Sequence, residues 1–124
     1  TDADADQLNT YERLPAVAIF GFLGLKRVKV AGDSMAPTYH DGDVVLVRWF
    51  EGKPRLQLLD VVVVERDEMP GVYFIKRIQK IHGDGIWVEG DNREVSERMS
   101  DSRKWGYLGR HEIRARVIRR LKRG

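Results

Sequence analysis

Apolar and polar residues alternate along most of this chain in short runs that glycine and proline turns separate. A period of two residues is typical of half-buried β-strands. It predicts six strands, at Leu25–Val30, Val44–Trp49, Asp60–Arg66, Val72–Ile81, Ile86–Glu89 and Ile113–Leu121. Gly83-Asp84-Gly85 predicts a hairpin between the fourth and fifth of these. With no long amphipathic helix, the fold class we predict is mainly β, an antiparallel barrel or sandwich with little helix.

The N-terminal part differs from the rest. Residues 1–13 are polar and we expect them to be loosely structured, while Leu14–Leu25 is apolar but interrupted by Pro15, Gly21 and Gly24. This run is shorter than the roughly 20 residues that span a bilayer. A core segment, an interfacial patch and the remnant of an anchor remain open. We therefore divide the chain into residues 1–24, a tail with a short apolar segment, and a globular domain at residues 25–124.

Composition excludes several kinds of chemistry. The chain has 124 residues, 42% of them hydrophobic and 33% charged, which is typical of one soluble globular domain. It has no cysteine, which excludes thiol catalysis, disulfides and thiolate metal sites. The three histidines, His40, His82 and His111, lack the spacing of metal ligands. We expect no metal and no cofactor.

Positive charge is concentrated at the C-terminal end, although the formal net charge is only +3. Such an end can attract nucleic acid or an anionic membrane surface. No aromatic residues are interleaved with these cations, so we expect no nucleic-acid partner, and an anionic membrane surface stays open. The simplest interpretation is a solvated strand face and tail. The cations are Arg110, Arg114, Arg116, Arg119, Arg120, Lys122 and Arg123.

A serine nucleophile is predicted at Ser34, between Gly32 and a Pro-Thr turn at the end of a strand. A serine reacts only when a base can take its proton, and no pair of histidine and aspartate suggests itself. Lys76 lies in an apolar strand and shares a face with Phe74 and Ile78. The pKa of lysine in water is about 10.4, so burial would have to lower it by about three for this role. Otherwise Lys76 is a lysine that snorkels at a sheet edge and Ser34 is a turn residue.

Five segments in order resemble the type I signal peptidase family, which are membrane-associated Ser/Lys endopeptidases. They are Gly32-Asp33-Ser34-Met35-Ala36-Pro37-Thr38, Asp41-Gly42-Asp43-Val44-Val45, Lys76-Arg77, Gly90-Asp91-Asn92-Arg93 and Asp101-Ser102-Arg103-Lys104-Trp105-Gly106. The resemblance implies a mostly β peptidase catalytic domain at residues 25–124. It also implies that Ser34 attacks the scissile carbonyl and that Lys76 is the general base.

The resemblance implies supporting roles as well. Ser96 would support the lysine, with Ser100 as a rival because the segment before Asp101 is longer than usual. Asp101 and Arg103 would be paired charges that hold the site together. Gly32 stands where some relatives place a hydroxyl, so the oxyanion would depend on backbone N–H groups, chiefly that of Ser34.

The substrate implied by this resemblance is the leader of another protein, bound extended beside residues 26–31 with residues 73–75 on the other side. Val28, Val30, Met35 and Phe74 would line pockets for small residues at substrate positions −1 and −3. The protein would then be membrane-associated on the extracytoplasmic face if an anchor is missing.

Three alternatives remain open. A soluble maturation protease of nickel-type superoxide dismutase, from the same family, would be cytoplasmic. A LexA-like autoprotease shares the Gly-Asp-Ser-Met segment and the Ser/Lys pair, but it carries a helix-turn-helix domain and lacks the Asp-Ser-Arg segment. A non-enzymatic β-barrel would bind nucleic acid or anionic lipid at the basic end, and Ser34→Ala would leave its function intact.

Overall fold

Short antiparallel strands make up most of the protein. The structure is a computed structural model that describes residues 8–10, 24–94 and 100–124. Within these residues a four-residue helix, α1 (Ser102–Trp105), and a 3₁₀ turn at Arg110–Glu112 accompany the strands. The strands are β1 (Leu8–Thr10), β2 (Leu25–Val30), β3 (Val44–Trp49), β4 (Val61–Glu65), β5 (Tyr73–His82), β6 (Gly85–Glu89), β7 (Leu108–Gly109) and β8 (Ile113–Lys122).

The strands form one eight-stranded sheet in the order β1-β2-β3-β8-β4-β5-β6-β7. Every neighbouring pair is antiparallel. The last strand, β8, lies between β3 and β4 and so joins the two halves of the sheet. β1 pairs with β2 at one end of this order and also contacts β5, so the sheet curls. The predicted fold class, mainly β with little helix, is confirmed.

The core has two apolar clusters because successive side chains of a strand point to opposite faces. One cluster includes residues of β2 and is named the β2 cluster, and the other includes residues of β6 and is named the β6 cluster. Val63 and Ile75 belong to the β2 cluster, whereas Val62, Phe74 and Ile78 belong to the β6 cluster. The β2 cluster is Val28, Val30, Met35, Val45, Val47, Val61, Val63, Ile75, Ala115 and Val117. The β6 cluster is Leu56, Val62, Val64, Phe74, Ile78, Ile86, Val88, Leu108 and Ile113.

The alternating pattern located the longer strands to within one or two residues. It missed β1 and β7, which have three and two residues and are too short to show a period. Residues 8–10, expected to be loosely structured, instead form β1. Most of the apolar run that begins at Leu14 lies outside the described residues, and the division between residues 24 and 25 stays a prediction. No helix in the described part of the chain is long and apolar enough to cross a membrane.

Ile75 tests the β2 cluster because its side chain, on β5, is fully buried. Ile75→Val should lower the free energy of unfolding by about 0.5–1.5 kcal/mol and Ile75→Ala by about 2–5 kcal/mol. Urea denaturation measures both changes. Ile118→Ala is the matched control, since Ile118 is 45% exposed on β8 and should cost less than about 0.5 kcal/mol. Equal losses at the two positions would contradict the assignment of Ile75 to the core.

Candidate active site

The loop that carries Ser34 leaves β2 and is closed by hydrogen bonds at its base. Val30 N–H donates to the Asp43 carbonyl, and Gly42 N–H donates to the Val30 carbonyl, each at 2.8 Å. Met35, fully buried in the β2 cluster, anchors the loop beside Ser34, which is 6% exposed. A serine in this loop is therefore held close to the core and away from most of the solvent.

Gly32 shapes the start of this loop. Its φ of 87° lies in the left-handed region that favours glycine. Its N–H donates to the Asp41 carboxylate at 2.7 Å. Gly32 therefore contributes its backbone conformation to the loop, and its N–H group is engaged within the protein.

The turn after β6 packs directly on Ser34. Asn92 N–H donates to the Ser34 carbonyl at 2.8 Å, and the Asn92 side-chain amide donates to the Asp33 carbonyl at 2.9 Å. A Cβ atom on Gly90 would lie 2.7 Å from the Ser34 carbonyl oxygen and 3.5 Å from Ser34 Cβ. Only glycine leaves room for Ser34 at this position. From the sequence alone, Gly90 and Asn92 were recognised only as members of the Gly90-Asp91-Asn92-Arg93 segment, without a contact to Ser34.

Lys76 lies in β5, the strand that pairs with β6. The β5–β6 ladder pairs Arg77 with Glu89, and continuing this register by one residue puts Gly90 opposite Lys76. Residues paired in this way point to the same face, with their Cβ positions about 5 Å apart. Ser34 fills the space of the missing Gly90 side chain, so this extended register puts Ser34 on the sheet face to which Lys76 points.

Lys76 is fully buried, and its ammonium nitrogen is buried with it. The flanking residues on its strand face, Phe74 and Ile78, are also fully buried. Snorkelling at a sheet edge is therefore excluded for this lysine. Burial away from water is the general means by which a protein favours the neutral amine of a lysine.

The Asp101 carboxylate fixes the position of the Gly90 backbone. It is buried and accepts hydrogen bonds from Gly90 N–H at 2.9 Å and from the Arg103 guanidinium at 2.7 Å. Burial alone would raise the pKa of Asp101, but the hydrogen bonds from Arg103 and Gly90 outweigh it and hold the pKa below its usual value. Beside it, Ser102 Oγ accepts from Val88 N–H at 2.9 Å. Asp101 and Ser102 thus hold the end of β6 in place.

Asp91 connects β5 to the Ser34 loop. It accepts two hydrogen bonds from the Arg77 guanidinium, at 2.9 and 2.8 Å, and one from the Thr38 hydroxyl at 2.7 Å. Burial raises the pKa of Asp91, and the hydrogen bonds from Arg77 and Thr38 more than reverse this effect. The strand that carries Lys76 and the loop that carries Ser34 are therefore tied to the same carboxylate.

The residues expected to bind substrate are divided between the two clusters. Val28, Val30 and Met35 lie together in the β2 cluster. Phe74 lies in the β6 cluster and is fully buried. Its ring is edge-on to that of Trp105, with 5.0 Å between the two ring centroids. All four are core residues in this structure, and their roles toward substrate stay predictions.

The two serines expected to support Lys76 cannot be compared directly. Ser96 lies outside the described residues. Ser100 is 8% exposed and directly precedes Asp101. The choice between them stays open.

Residues 5–118 match the Peptidase S24-like family. The chain belongs to this family. It is therefore a serine peptidase, a hydrolase that cleaves peptide bonds. No curated protein matches the chain.

The family assignment corrects the resemblance to type I signal peptidases, which was wrong. The Gly-Asp-Ser-Met segment and the Ser/Lys pair occur in LexA-like autoproteases too, so they could not separate the two families. The Asp101-Ser102-Arg103 segment was taken as the distinguishing feature. In the structure its side chains cap α1 and hold β6, a packing role that does not identify a substrate.

Gly90→Ala tests the contact between the two halves of the site. The new methyl group would force the Ser34 backbone to move, so peptidase turnover should fall by about a hundredfold. Turnover of a peptide substrate and urea stability are measured together. Gly85→Ala, in the same strand, is the control, because its nearest neighbour is the movable Tyr107 side chain at 3.1 Å. Equal turnover in the two variants would contradict the importance of this contact.

Asp101 makes stability depend on pH in a defined direction. The pKa of its carboxyl is lower in the folded protein than the unfolded value of about 3.9. The stabilisation is therefore fully present above about pH 3.9 and is lost as the pH falls through the folded-state value. Urea denaturation between pH 6 and pH 2 should show a smaller loss of stability for Asp101→Asn than for the unsubstituted protein. Asp84→Asn, at a fully exposed carboxylate, should retain the original pH dependence, and a parallel change there would refute the assignment.

Proposed function

We propose that this protein cleaves peptide bonds with Ser34 as the nucleophile and Lys76 as the general base. The observation that supports the proposal is the packing at Gly90. Ser34 fills the space beside Gly90 on the face to which Lys76 points, and Lys76 is fully buried there. A hydroxyl and an amine on one face are the pair that this chemistry requires.

The reaction would proceed through an acyl-enzyme. The neutral amine of Lys76 takes the proton of the Ser34 hydroxyl as Oγ attacks the scissile carbonyl. The resulting ammonium gives the proton to the departing amine when the peptide bond breaks. Water, activated by the same amine, then releases the acyl group from Ser34. The proton and the electron pair are accounted for at each step without a cofactor.

The oxyanion of the tetrahedral intermediate would be stabilised mainly by the Ser34 N–H. Gly32 N–H is directed to the Asp41 carboxylate, so we assign Gly32 a role in shaping the loop. Asn92 holds the Ser34 carbonyl and is a positioning residue.

The assignment to the Peptidase S24-like family changes the substrate class that we propose. Leader removal, by a membrane-associated signal peptidase or by a soluble maturation protease of nickel-type superoxide dismutase, was implied only by the resemblance to signal peptidases. Of the alternatives weighed from the sequence, the LexA-like autoprotease agrees best with the Peptidase S24-like match. The bond to test first is therefore one in the chain itself.

The substitutions Ser34→Ala and Lys76→Met test the proposed pair of nucleophile and general base. Each should slow cleavage at least about a thousandfold, because neither residue of such a unit acts alone. Mass spectrometry of the purified protein, incubated at several concentrations, measures cutting of the chain. A rate independent of concentration identifies cleavage within one molecule. Denatured casein in the same samples reports cleavage of other chains.

Lys80→Met is the matched control, since Lys80 lies exposed on the same strand. It should cleave at the rate of the unsubstituted protein. Urea denaturation confirms that Lys76→Met is folded, which is expected because methionine has a similar length and suits an apolar site. Full activity of either Ser34→Ala or Lys76→Met would refute the assignment.

A further inference from the structure

A hollow of about 490 Å³ lies at the end of β3 that is farther from the Ser34 loop. This volume is within the range of about 300–1,000 Å³ that is typical of sites for small ligands. Its lining has one acidic residue, Glu51, and four cationic residues, which are Arg48, Lys53, Arg55 and Arg116. The size of the hollow and its excess of positive charge are therefore suited to a small anionic molecule.

Two arginines of this hollow face each other across the sheet. Arg48 on β3 pairs with Arg116 on β8, and side chains paired in this way point to the same face. Like charges in such a position repel each other, so an anion between them would remove the repulsion. A guanidinium binds a phosphate through two parallel hydrogen bonds. A phosphate group therefore suits this pair.

The Arg116 guanidinium is held in position by the protein itself. Its Nε donates to the Asp60 carboxylate at 3.1 Å, and its Nη2 donates to the Arg55 carbonyl. A guanidinium has more N–H donors than these two contacts use. Within the described part of the chain, the side chains of Lys53 and Arg55 form no ion pair. The hollow thus combines a fixed arginine with two cations whose charge no described carboxylate offsets.

The hollow also has an apolar wall, to which Trp49, Phe50 and Pro54 contribute. Phe50 N–H donates to the Arg114 carbonyl at 2.8 Å, and the Arg116 guanidinium carbon lies 5.5 Å from the centre of the Phe50 ring. The fold thus brings aromatic rings at the end of β3 next to cations of β8, a proximity that the sequence did not show. An organic group attached to the phosphate would lie against this wall.

The neighbouring hollow differs, because its cations are paired with carboxylates. It has a volume of about 200 Å³ and shares Phe50 and Pro54 with the first. The nitrogen–oxygen distances are 3.8 Å for Arg110 and Asp84, 3.5 Å for Arg114 and Glu65, and 2.6 Å for His111 and Asp67. A nucleic acid presents many phosphates and is bound by cations that extend along it. The pairing of the second set of cations therefore favours a small ligand over a polyanion.

We propose that the hollow between Arg48 and Arg116 is a binding site for a nucleoside phosphate. The phosphate lies between the two guanidinium groups, and the planar base lies against the apolar wall beside Phe50. This site goes beyond the proposed peptidase chemistry and does not depend on it, since neither Ser34 nor Lys76 lines the hollow.

Calorimetric titration of the protein with ATP, in the presence of EDTA, tests the site. Arg48→Gln and Arg55→Gln should each raise the Kd about tenfold, because each removes a charged hydrogen-bond donor. Arg119→Gln is the matched control, since it removes the same charge from an exposed position of β8 outside the hollow. It should leave the Kd unchanged, and so should Ser34→Ala. Urea denaturation confirms that each variant is folded.

A second series of titrations identifies the part of the ligand that contributes. Inorganic tripolyphosphate should bind about tenfold more weakly than ATP, because it has no apolar surface to bury against the wall. Adenosine should also bind at least about tenfold more weakly, because it carries no charge for the arginines. Equal affinity of either compound and ATP would contradict a site that binds both parts of a nucleotide.

Absence of ATP binding to the unsubstituted protein would overturn the inference, and so would an unchanged Kd in both Arg48→Gln and Arg55→Gln. Tighter binding of a single-stranded oligothymidine, or of phosphatidylcholine vesicles that contain phosphatidylglycerol, would overturn it in favour of a polyanion or a membrane. Loss of ATP binding in Ser34→Ala would place the ligand elsewhere and would also overturn it. None of these results bears on the Ser34 and Lys76 chemistry, since no bond is cut in this assay.

Discussion

The site depends on one close approach, that of the Ser34 backbone to Gly90. The space that a side chain would fill at residue 90 is filled by Ser34 instead, at 2.7 Å from the carbonyl oxygen to the position of a Cβ. This contact connects the loop after β2 to the end of β6. Extending the Arg77–Glu89 pairing by one residue puts Lys76 opposite Gly90, so the same contact bears on how Ser34 and Lys76 lie relative to each other.

Two carboxylates hold this approach, the buried Asp101 and the partly buried Asp91. Asp101 fixes Gly90 through its N–H, and Asp91 ties Arg77 on β5 to Thr38 in the Ser34 loop. Each carboxylate accepts hydrogen bonds from several donors, which offset the cost of removing its charge from water. Asp91 and Asp101 thus support the structure around the site.

The sequence predicted best what depends on local pattern. Alternation located β2, β3 and β5 and placed Lys76 on an apolar face, because strand geometry fixes which residues share a face. It could not show that Gly90 touches Ser34 or that Asn92 holds its carbonyl, since residues more than fifty positions apart meet only through the fold. β1 escaped notice because three residues carry no period. The family was misassigned since the Gly-Asp-Ser-Met segment and the Ser/Lys pair occur in both families.

The position of β8 has a consequence for the order in which the sheet can assemble. β8 comes last among the strands along the chain, yet it lies between β3 and β4 and pairs with both. The two halves of the sheet can therefore join only after Ile113–Lys122 has been synthesised. Pairings between residues so far apart in sequence form slowly, because a long loop must close before these contacts can stabilise it.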